Sequence, residues 1–129
     1  MNPLRTIPAI VIIVILLLGG SLATYRYIHT TSQALATQLE EVEQSISTQK
    51  WEVAQKELNT FLQHWGKDKT WWTILLDHQE IDNIDMSINR LEKYIQTHDL
   101  SLSLGEVSVL RLLVDHISET EQLNLQNIL

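Results

Sequence analysis

His78 and Asp82 are four residues apart, the spacing at which two side chains share one face of a helix. If the chain reverses near Asp99, position 82 pairs with position 116, and His116 is brought to the same place. Two imidazoles and a carboxylate meeting between helices are ligand types that hold a divalent cation such as zinc. The same three residues suit an interhelical hydrogen bond that fixes register. No tight motif such as H-E-x-x-H accompanies them, and His64 and Asp77 are weaker additions. No bound cofactor is expected.

A second group of residues suits an interface rather than a reaction. Trp65, Trp71 and Trp72 stand beside Lys67 and Lys69 around a turn. Aromatic rings next to cations are what a membrane boundary or a protein partner selects. The competing expectation is that the tryptophans pack in a core, covered by Leu123, Leu125, Ile128 and Leu129 of the C-terminal tail. The remaining polar residues carry no catalytic signal. Glu40, Glu41 and Glu43 read as a solvated helix face. No serine sits in a nucleophile elbow with a base selected for it. The expectation is therefore no enzyme.

The elements that position these groups follow from composition. The chain has 129 residues, a net charge of -7, no cysteine and few glycines or prolines. Disulfides and thiolate chemistry are excluded, and the negative balance argues against a nucleic-acid partner. From Ile7 to Ala23 there is no charged residue, a run that reaches about 30 Å as a helix when extended to Tyr25. Tyr25 and Tyr27 flank Arg26 at its far end as interfacial aromatics do. The division expected is a short tail over 1–6, a transmembrane signal anchor over 7–27 and a helical domain over 28–129. A cleaved signal peptide, with Ser21-Leu22-Ala23 as its small-residue site, is the alternative. Either leaves the domain extracytoplasmic, since Arg5 and the amine lean toward the cytoplasm.

Beyond the anchor the apolar spacing is helical throughout. Leu35, Leu39, Val42 and Ile46 mark a segment over Ser32–Ser47, which can continue the anchor helix. Trp51, Ala54, Leu58, Phe61, Leu62 and Trp65 mark one over Gln49–Trp65. Gly66-Lys67-Asp68-Lys69 is the clearest break. Ile74, Ile81, Ile84, Ile88, Leu91 and Ile95 form a heptad-like stripe over Trp71–Thr97. Leu110, Leu113, Val114 and Ile117 mark Ser101–Ser118, with Ser103 and Glu106 at capping-box spacing. The fold expected is all-α: a transmembrane helix, then a small antiparallel bundle of about four helical segments.

Several of these stretches together resemble a known group. Trp71-Trp72, then Asp77-His78-x-Glu80-Ile81-Asp82, Leu91-x-x-Tyr94-Ile95, Asp115-His116-Ile117 and a final Asn127-Ile128-Leu129 are similar to the domain-of-unknown-function family numbered 4363. The resemblance implies a short bacterial protein with an N-terminal membrane segment, a helical remainder and no assigned activity. The leading expectation is a non-enzymatic interaction or scaffold module in the cell envelope. Its partners would be the lipid bilayer, through residues 7–27, and a membrane or envelope protein. The alternative is a metal- or ligand-responsive sensor built on His78, Asp82 and His116.

Overall fold

The computed structural model describes the backbone of residues 3–128, with side chains through Ile117 and at Glu119. Five helices follow one another: α1 (Pro3–Ser47), α2 (Trp51–Lys67), α3 (Lys69–Leu75), α4 (His78–Gln96) and α5 (Leu100–Ile128). Among the described residues there is no strand.

The apolar run and the first amphipathic segment are one uninterrupted helix of 45 residues. Its length is about 67 Å at 1.5 Å per residue. Pro8 lies inside it without ending it, only one turn and a half from its start. The two halves of α1 differ sharply. Twelve large apolar side chains between Leu4 and Leu22 are 46–78% exposed, whereas Ile28, Leu35, Leu39, Val42 and Ile46 are buried. The change comes where the apolar run gives way to a four-three spacing of leucine, valine and isoleucine.

Contacts link α1 to α2, α2 to α4, α4 to α5 and α5 back to α1. The side-chain pairs between neighbours run in opposite orders. Ser45 donates to Glu57 at 2.8 Å, and Gln38 bonds His64 farther back along α1 and farther on along α2. Between α4 and α5, Arg90 pairs with Glu106 at 2.8 Å and His116 approaches Glu80 at 3.9 Å. The core gathers Ala54, Leu58 and Phe61 of α2, Ile81, Ile84, Ile88, Leu91 and Ile95 of α4, and Val107, Leu110, Val114 and Ile117 of α5. Burial of roughly 1.5–3 kcal/mol per large aliphatic side chain makes this the main stabilising contribution.

Two reversals share one geometry. After α1, the Lys50 N–H bonds the Ser45 carbonyl and the Gln49 N–H bonds that of Ile46, both at 2.9 Å. After α4, the Asp99 N–H bonds the Tyr94 carbonyl at 2.9 Å and the His98 N–H that of Ile95 at 3.0 Å. Each is a Schellman closure with a left-handed residue, Gln49 (φ 58°) or His98 (φ 54°), where glycine is usual. Trp51 stacks on His98 at 5.1 Å and 2°, which places the two reversals side by side.

Several expectations about boundaries change. The segment expected over Trp71–Thr97 is two helices, because Leu76 and Asp77 are extended and end α3 before α4 begins. That interruption turns Ile74 out of the stripe, leaving it 70% exposed. The break expected over Gly66–Lys69 narrows to Asp68, with Gly66 inside α2. Helix α5 starts earlier than Ser101–Ser118, capped by Asp99, whose Oδ1 accepts from the Leu102 N–H at 2.9 Å. Ser103 is therefore a buried interior residue, not a cap. The acidic run on α1 is not wholly solvated either. Arg111 donates to Glu43 at 2.7 Å and to Glu40 at 3.0 Å. Its bond to Glu43 pushes the guanidinium further above its already high ordinary value. The packing expected of Leu123, Leu125, Ile128 and Leu129 falls on side chains outside the described residues.

Candidate membrane-proximal site

Helix α3 is the short element that decides what the lower end of the domain exposes. Adjacent residues of it meet different surroundings. Trp72 is wholly buried, whereas Trp71 is 58% exposed. A helix places residues one apart at roughly 100° to each other, so a seven-residue helix lying on a core must expose one of the two. Trp72 stacks on Trp65 of α2 at 5.8 Å and 22°. Leu76 closes the same side, and Ile74 joins Trp71 on the outer side at three-residue spacing.

Asp85 of α4 ties this corner together. Its Oδ1 accepts the Trp65 indole N–H at 3.0 Å, and its Oδ2 accepts from Lys69 Nζ at 3.1 Å. One carboxylate thus satisfies a buried ring N–H on α2 and a cation at the start of α3. Among the described residues the Trp72 indole nitrogen has no hydrogen-bond partner. On the outer side, Trp71 and Leu75 form a groove of about 340 Å³ with Ala23, Thr24 and Tyr27 of α1. Tyr27 places its phenol beside Asp68, at the α2–α3 junction, and Thr31. Tyr25 stacks on His29 at 5.9 Å. Helix α3 therefore sits against the turn of α1 that directly follows the apolar run.

The five residues expected at a partner or membrane contact divide. Trp71 and Lys67 are exposed, and Lys69 is exposed but paired with Asp85. Trp65 and Trp72 are buried core residues and leave the contact set. Tyr27 and Leu75 line the groove beside Trp71, and Ile74 is exposed next to it. Ile74 was hidden by its seven-residue distance from Ile81, which looks like a continuation of the same stripe. The overlooked signal was Asp77 and Glu80, at the spacing of a helix start.

The trio His78, Asp82 and His116 is not brought together as a ligand set. His78 and Asp82 lie on an exposed face of α4. His116 turns its Nε2 toward Glu80, and its Nδ1 is 3.9 Å from Glu119. The physical reason is register. The α4–α5 reversal centres on His98 with Asp99 as cap, so position 80, not 82, faces 116. Among the described residues no three His, Asp or Glu side chains gather closely enough to hold a metal ion. A shallow cleft of about 290 Å³ between Asp77, Glu80, Asn83 and His116 is what remains of that site.

No curated protein and no solved structure matches this chain. Residues 22–128, nearly everything from the end of the apolar run onward, match one family, and the chain thus belongs to the family described as Domain of unknown function (DUF4363).

Proposed function

We propose that this chain is a single-pass, membrane-anchored scaffold or interaction module of the cell envelope, built as an antiparallel helical bundle on a retained signal anchor. The observation that carries the reading is the contrast within α1. Helix α1 is long and apolar enough to cross a membrane, and its most apolar stretch is wholly unburied. Twelve large apolar side chains between Leu4 and Leu22 are exposed, and each gives up in water the roughly 1.5–3 kcal/mol that full burial would gain. A bilayer removes that cost. The opposed order of the α1–α2 and α4–α5 side-chain pairs supports the up-and-down packing.

The module acts without chemistry of its own. It holds helical faces at a set distance from the bilayer, where a membrane or envelope protein can meet them. The charge lean across the anchor favours an extracytoplasmic domain.

Alkaline extraction of membranes containing the full chain, followed by sequencing of its N-terminus, tests this. The expected result is a chain that stays in the membrane pellet with residues 1–23 attached. A soluble product beginning at Thr24 would overturn the anchor.

A further inference from the structure

We propose that α3 is a lipid-contacting foot: Trp71 and Ile74 rest in the headgroup–acyl boundary of the same bilayer that the start of α1 crosses, and phospholipid occupies the groove between α3 and Ala23–Tyr27. The inference deepens the proposed function and rests on its anchor.

Position comes first. The uncharged run ends at Ala23 and the first charge beyond it is Arg26. Trp71 and Leu75 share a groove with Ala23, Thr24 and Tyr27, within about 6 Å of helix rise from the end of that run. Helix α3 is therefore held at the height where a bilayer passes from hydrocarbon to headgroups. Tryptophan and tyrosine concentrate at that height, because each has an apolar ring and one polar atom.

The chemistry of α3 suits the same occupant. Its outer side is Trp71 and Ile74, 58% and 70% exposed, flanked by half-buried Leu75. The Thr73 hydroxyl is already bonded to the Lys69 carbonyl at 2.6 Å and the Thr70 carbonyl at 3.0 Å. It can approach lipid with no unmet hydrogen bond. Two of the neighbouring charges are engaged within the protein, Lys69 with Asp85 and Asp68 with Tyr27, while Arg26, Lys67 and Asp77 are exposed, where headgroups can solvate them. With a net charge of -7 the chain is not drawn to a bilayer by Coulomb attraction. The contact is apolar and should be insensitive to salt.

The test uses the full chain reconstituted in phosphatidylcholine vesicles, with and without bromine on the acyl chains near the carbonyl. Tryptophan emission should be quenched by the brominated lipid in the native protein and in W51F. The quenching should be lost in W71F and unchanged between low and high salt. Since the chain has no cysteine, an environment-sensitive dye on Ile74→Cys gives an independent reading. It should emit as in a lipid boundary, and the same dye on Ser101→Cys as in water. Equal quenching of native and W71F proteins, or a water-like signal from Ile74→Cys in a chain that floats with the vesicles, would overturn the foot and leave the anchor standing. A chain that did not float would overturn both. Protection of Ile74→Cys that rose with protein density at constant lipid would assign the face to a second copy and overturn the lipid contact.

Discussion

The two ends of the helical domain solve the same problem, reversing the chain, in different ways. At the far end the α1–α2 and α4–α5 turns use the same pair of backbone bonds, and a Trp51–His98 stack joins them. Single aliphatic side chains, Val53 and Leu102, are half exposed beside these turns, but no exposed tryptophan is. At the near end the chain inserts α3 between α2 and α4, buries Trp72 and leaves Trp71 and Ile74 uncovered. A tight turn closes a bundle at small cost. An extra helix that exposes apolar surface makes sense only where something other than water lies against it. The contrast is what the proposed contact at the near end rests on.

The largest effect expected is on the buried half of α3. Trp72→Ala should lower unfolding stability by about 3–5 kcal/mol in a denaturant titration, the range for truncating a buried aromatic. Trp71→Ala should stay within about 0.5 kcal/mol, as an exposed substitution does. Equal losses would erase the distinction between neighbouring residues on which the comparison stands. A smaller effect is expected at Asp85. Asp85→Ala leaves the buried Trp65 N–H without an acceptor and should cost about 1–3 kcal/mol. Asp85→Asn, which can still accept at its amide oxygen, should recover part of that.

The far end offers the smallest change, and in the opposite direction. Gln49→Gly relieves a left-handed side-chain residue and should raise stability by about 0.5–1 kcal/mol. His98→Gly should gain less, because it also removes the ring stacked on Trp51. If both glycines stabilised equally, the stack would be contributing nothing to joining the two turns.

Much of the helical core was legible from spacing. Leu35, Leu39, Val42 and Ile46, and likewise Ala54, Leu58, Phe61 and Trp65, are buried as their periods required. What spacing could not supply was phase across an interruption. Ile74 and Ile81 are seven apart whether the helix continues or stops for two extended residues, yet only in the first case do they share a face. The metal trio failed for a related reason. A shift of the reversal from Asp99 to His98 moves every facing pair by two positions, and a ligand set does not survive that. Arg111 joining Glu40 and Glu43 was invisible because α1 and α5 are far apart in sequence. The exposed ledge required knowing which tryptophan the core would take. Sequence alone treats Trp71 and Trp72 alike.

One consequence of α1 follows from its continuity. Between Pro3 and Ser47 there is no break, and the large apolar side chains from Leu4 to Leu22 are exposed while Ile28, Leu35, Leu39, Val42 and Ile46 are buried in the domain core. Such a member works as a driveshaft. Advancing its lower part by one residue position, roughly 100° of rotation, would turn the entire domain with it; if the proposed anchor holds, torque applied inside a bilayer would be read out as a new heading of the faces above.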